Sequence, residues 1–125
     1  MPEHVHILIF PTLEDYDVSE ILRLIKHPSA RRIISRVKKV KPELLSKLST
    51  GLEKPKYRFW QNGGGYDRNY VDGQRIHHQI EYIHMNPVRR GLVENPCDWA
   101  WSSAEYWMKG TESAVLIDGK HIPGA

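Results

Sequence analysis

MPEHVHILIF, Met1 to Phe10, opens the chain with two histidines one position apart and then turns strongly apolar. As a β-strand, this stretch points His4 and His6 to one face and Val5, Ile7 and Ile9 to the other. Two imidazoles on one face of a strand can chelate a divalent metal. They are equally what a frayed strand start would carry. A strand here needs neighbours, and a metal needs further ligands, so the rest of the chain decides between the two.

Working outward, PTLEDYD reads as a loop, with Asp17 and Glu20 forming a capping box for a helix that carries Val18, Ile21, Leu22 and Ile25 at helical spacing. Pro28 is expected to interrupt it. A second amphipathic piece then holds Ile33, Ile34, Val37 and Val40, with Arg31, Arg32, Arg36, Lys38 and Lys39 on its other faces. Pro42 suits the first turn of a short third helix. YRFWQNGGGYDRNY predicts a short strand or extended segment and a glycine turn, followed by a helix capped by Asp72 that ends at Asn86, before Pro87. DWAWSSAEYWM predicts a short helix. AVLIDGKHI predicts a small hairpin at Asp118-Gly119. The organisation expected is one domain over residues 1–110 with a tail over 111–125.

Charge is unevenly spread. The net charge is +3, but Arg23 to Arg58 holds twelve Lys and Arg against only Glu43 and Glu53, while the acids of the first twenty residues stand without any base. Such a block is an electrostatic footprint for polyanions, nucleic acid first, or else a solvated helix surface. No apolar run approaches the ~20 residues of a membrane span. The single cysteine, Cys97, excludes an internal disulfide and a cysteine-based zinc site, which fits a cytoplasmic protein.

Taken as a helix, RIHHQIEYIHMNP places Ile76, Ile80 and Ile83 together toward a core. Arg75, His78, Gln79, Tyr82 and Asn86 fall on a different side, with Tyr82 and Asn86 one turn apart. A tyrosine with an amide below it and histidine and glutamine alongside is arranged like a reactive group with helpers; a half-exposed tyrosine at the edge of an apolar stripe has the same spacing. His84 falls near Ile80, which suits a hydrogen-bonded core histidine. Trp99 and Trp101 are expected to pack, although aromatic faces of this kind, Tyr106 and Trp107 included, also stack on bases.

PEHVHILI, YRFWQNGGGYDRNY, IEYIHMNPVRRGLVENP and DWAWSSAEYW, in this order, resemble the single-tyrosine HUH transposases, in particular the REP-associated branch. The resemblance runs from Pro2 to about Trp107. It implies an α+β domain with a ferredoxin-like antiparallel sheet and helices packed on it. Family members carry a strand, a helix and a further strand before the His-hydrophobic-His strand. The expectation is therefore a partial ferredoxin-like fold truncated at the N-terminus, through a late start or a decayed element. The resemblance further implies cleavage and rejoining of single-stranded or hairpin DNA through a 5′-phosphotyrosine. Tyr82 would be the nucleophile, and His4, His6 and Asn86 would hold Mg²⁺ or Mn²⁺. His78 and Gln79 would be helpers, with Arg89, Arg90, Arg31, Arg32, Arg36, Lys38 and Lys39 on the DNA. The setting implied is a bacterial cytoplasm, at the nucleoid when bound to DNA. A homodimer, with tyrosine and metal ligands from one subunit or two, is left open. The alternatives are a DNA hairpin or single-strand binding module that does not cleave, an inactive relic, and an unrelated soluble protein whose histidine pair is structural.

Overall fold

A computed structural model describes residues 1–122. The chain forms two compact units, one made of Met1–Thr12 with the chain from Arg68 onward, the other of Leu13–Asp67. Each is built on one long helix.

In the Leu13–Asp67 unit, α1 runs from Val18 to Val40. Asp17 caps it, its carboxylate accepting from the Ser19 N–H at 2.8 Å. Glu20 does not complete the expected box; it pairs with Arg23 one turn on. Pro28 does not interrupt the helix. Losing one N–H and one intrahelical bond is tolerated here, and tertiary contact holds the same turn: Ser29 Oγ accepts from Trp60 Nε1 at 3.0 Å while donating to the Ile25 carbonyl at 2.7 Å. Pro42–Leu48 follows as a 3₁₀ helix with Pro42 in its first turn. Lys26 reaches the carbonyls of Gly63 and Gly64, 3.1 Å to each, and so anchors the glycine turn.

In the other unit, α2 spans Gly73–Arg89, capped by Asp72, whose carboxylate accepts from the Gln74 N–H at 2.9 Å. It passes three residues beyond the expected stop at Asn86, with Pro87 inside it. The buried proline ring supplies apolar contact in place of the missing N–H. The end is set instead by Gly91 at φ 65°. The Gly91 N–H bonds the Val88 carbonyl at 2.8 Å and the Leu92 N–H bonds the Pro87 carbonyl at 2.9 Å, the two bonds of a Schellman turn. Along α2, Ile80, His84 and Pro87 form the buried stripe. His84, 6% exposed, lies 2.9 Å from the Ser103 hydroxyl, where α3 (Ala104–Lys109) begins. Burial holds its pKa below the ordinary histidine value.

The expected α+β ferredoxin-like antiparallel sheet is absent: among the described residues the only β pairing is one isolated antiparallel bridge, Ser49 to Tyr57. Residues 4–10 have no regular structure, and Val5, Ile7, Ile9 and Phe10 remain 42–58% exposed. A strand exists only through its ladder, and no described segment offers this stretch the N–H and C=O groups to build one. Period-two patterning was therefore a propensity without a partner. The hairpin expected over 114–122 fails likewise: its alternation has no ladder, and His121 instead bonds Asp118 and stacks on Phe10, ring centroids 4.5 Å apart. Trp101 does not join a packing cluster; it is 78% exposed, while Trp99 is half-buried.

Candidate active site

The C-terminal half of α2 is the frame for the site. Tyr82 and Asn86, one turn apart, stack along the helix, and the Asn86 amide nitrogen donates to the Tyr82 carbonyl at 3.1 Å. Tyr82 is 46% exposed, with the Arg89 guanidinium carbon 5.1 Å from its ring centroid. A cation thus lies over the face of the candidate nucleophile.

The first residues of the chain meet this face. His6 Nε2 lies 3.4 Å from Asn86 Nδ2, and His4 Nε2 lies 3.1 Å from His6 Nε2. The His6 and Tyr82 rings are edge to face at 6.2 Å between centroids. With no sheet to hold this segment, its anchor is an ion pair between Glu3 and Arg90, the residue capping the C-terminus of α2. The Glu3 carboxyl is held below its ordinary pKa by its own backbone N–H and then by the Arg90 guanidinium. Glu3 also stands 3.6 Å from His4 Nδ1, within ion-pair reach but too long for a hydrogen bond. Arg90, expected on DNA, pairs with Glu3 while its side chain stays about half exposed. The sequence signal for this was available: Glu3 is an acid beside the histidine pair, and Arg90 sits at a helix end.

The His4 and His6 ring nitrogens, 3.1 Å apart, match the separation of about 3.0 Å between adjacent ligands on an octahedral ion at about 2.1 Å. His6 is held below the ordinary histidine pKa by partial burial, then by His4 and the chain's amino group. Asn86 presents nitrogen to His6. Turning its oxygen there costs the bond to the Tyr82 carbonyl. Among the described residues no group of three His, Cys, Asp or Glu could hold a metal, so a centre here would consist of two imidazoles and an amide, with no carboxylate.

Beside Tyr82, on the N-terminal side, a cleft of about 320 Å³ is lined by Arg68, Tyr70, Arg75, His78, Gln79 and Tyr82. The expected helpers His78 and Gln79 therefore share one surface with the tyrosine, as their helical spacing requires. Arg68 and Tyr70, which precede the helix, could not be placed there by periodicity. In the Leu13–Asp67 unit, Arg31, Arg32, Arg36 and Lys39 line one side of α1 together with Ser35. Lys38 leaves that stripe and lies 5.4 Å from the Tyr57 ring centroid. No helix among the described residues is long and apolar enough to cross a membrane. Comparison with known protein families, curated proteins and solved structures finds no match to this chain.

Proposed function

We propose that this chain is a tyrosine-dependent DNA strand transferase of the HUH type, acting on single-stranded or hairpin DNA at the bacterial nucleoid. One observation carries the proposal: the imidazole nitrogens of His4 and His6, 3.1 Å apart, lie against Asn86, one helical turn from Tyr82. Residues eighty positions apart in the chain make a compact donor set beside an accessible phenol.

In this reading Tyr82 Oη attacks a backbone phosphorus in line with the 3′ oxygen. The Oη–P bond forms, the P–O3′ bond breaks, and the phenolic proton leaves as the 3′ oxygen gains one. His78, in the same cleft, is the base that surface offers. The products are a 5′-phosphotyrosine and a free 3′-OH, so attack by a strand end reverses the step without a nucleotide cofactor. A bound divalent ion would polarise the phosphoryl group and offset the charge of the transition state. His4, His6 and Asn86 would hold that ion. A set with two imidazoles favours Mn²⁺ over Mg²⁺, the harder ion, which prefers oxygen ligands. Arg89 beside Tyr82, and Arg31, Arg32, Arg36 and Lys39 on α1, supply cations for phosphates.

The test is a cleavage assay with labelled single-stranded DNA from the gene's own flanks, Mn²⁺, and the chain with Tyr82 or with Tyr82→Phe. A covalent protein–DNA adduct requiring both Tyr82 and metal supports the reading; its absence from the unmodified chain refutes it. A second reading, a DNA-binding module without cleavage, is favoured by the Asn86 amide presenting nitrogen rather than oxygen to His6. It predicts salt-sensitive DNA affinity that Tyr82→Phe leaves unaltered.

A further inference from the structure

Besides Tyr82 and His78, the cleft is lined by Arg68, Tyr70, Arg75 and Gln79, which the strand-transfer step does not use. The guanidinium groups of Arg68 and Arg75 provide donors for a phosphate. Tyr70 provides an aromatic surface, and it is held in place. Its hydroxyl donates to Gln79 Oε1 at 2.9 Å, and the Arg68 guanidinium carbon stands 5.6 Å from its ring centroid. With the Gln79 oxygen taken, its amide nitrogen is the donor left for a base edge. Planar surface, amide donor and cations thus lie together on one open surface beside Tyr82.

From this arrangement we infer that the cleft binds one unpaired nucleotide of a DNA single strand next to the scissile phosphate, its base stacked on Tyr70 and its phosphate held by Arg75. The inference rests on the strand-transfer reading for the identity of the strand but not for the binding itself. It assigns Tyr70, Arg68 and Arg75 a role in substrate selection: an unpaired base stacks there without the unpairing and unstacking cost that a paired base must meet. The specificity is therefore for unpaired DNA at this position.

The test is binding of fluorescent dT12, followed by anisotropy in EDTA so that no cleavage occurs, across a salt series. Tyr70→Leu is expected to weaken binding roughly tenfold with the salt slope unchanged, the effect of losing one stacked base. Arg75→Gln is expected to flatten the slope by about 0.7, the loss of one phosphate contact on a single strand. If Tyr70→Leu also lowers the thermal midpoint, Tyr70→Phe keeps the ring and removes only the hydroxyl. Affinity retained by Tyr70→Phe supports stacking, and a loss as large as that of Tyr70→Leu overturns it. Wild-type affinity in both Tyr70→Leu and Arg75→Gln, or no dT12 binding by the unmodified chain, overturns the inference. The Mn²⁺ adduct assay fails or succeeds separately. Groove-dependent binding without an adduct refutes strand transfer alone; an adduct with groove-independent binding refutes the nucleotide site alone.

Discussion

Replacing Asn86 with alanine separates metal binding from metal-induced stability. His4 and His6 are two positions apart, so an unfolded chain can also chelate an ion with this pair. Metal bound equally by both states stabilises neither. Asn86, eighty residues from His6 and on a different element, is available as a ligand only when α2 and the first residues are in place. If this third ligand raises the affinity of the folded state about tenfold, saturating Mn²⁺ adds about 1.4 kcal/mol. For a chain of 125 residues that corresponds to a rise of about 5 °C in the unfolding midpoint. The assay is thermal unfolding followed by tryptophan fluorescence, with and without Mn²⁺, paired with calorimetric titration. Asn86→Ala should keep measurable Mn²⁺ binding through the histidines but lose more than half of the midpoint shift. Comparing each variant with itself, with and without metal, removes the cost of the lost bond to the Tyr82 carbonyl. A full shift in Asn86→Ala, or no shift in the unmodified chain, would refute the three-donor site.

His84 makes stability depend on acid. Its folded pKa lies below the unfolded value of 6.5, so the unfolded chain binds the proton more readily. Its contribution is present above about pH 6.5 and is lost as pH falls through the folded pKa; urea unfolding from pH 8 to 5 should show a slope that His84→Gln reduces. Gly91→Ala should cost about 1 kcal/mol in chemical denaturation. No neighbour lies within 4 Å of the added carbon, so the whole cost comes from holding an L-residue at φ 65°. Ile80→Ala, at the most buried isoleucine of α2, should lose about 2–4 kcal/mol, and an effect below 1 kcal/mol would show that this stripe is not the core of its unit.

Helical features were legible because they are local. The Asp17 and Asp72 caps, the Pro42 turn, the buried side of α2 bearing Ile80 and His84, and the shared surface of His78, Gln79 and Tyr82 all follow from contacts within a few residues of chain. The two prolines misled for a related reason. Pro28 and Pro87 each remove one hydrogen bond, which local rules treat as a stop. The Trp60–Ser29 hydrogen bond holds the first site, and burial of the ring offsets the loss at the second.

HVHILIF carries the alternation of a strand, but a β-ladder depends on a second segment that the pattern of the first cannot supply. The tertiary arrangement brings His6 to Asn86 without a sheet, Glu3 to Arg90, and Arg68 and Tyr70 into the cleft beside Tyr82. Each of these joins groups that no helical or strand period relates. The spacing of residues along the chain settled where helices start and what each face carries, but not where they end. Which faces meet, and whether a strand finds a partner, depended on contacts between distant segments.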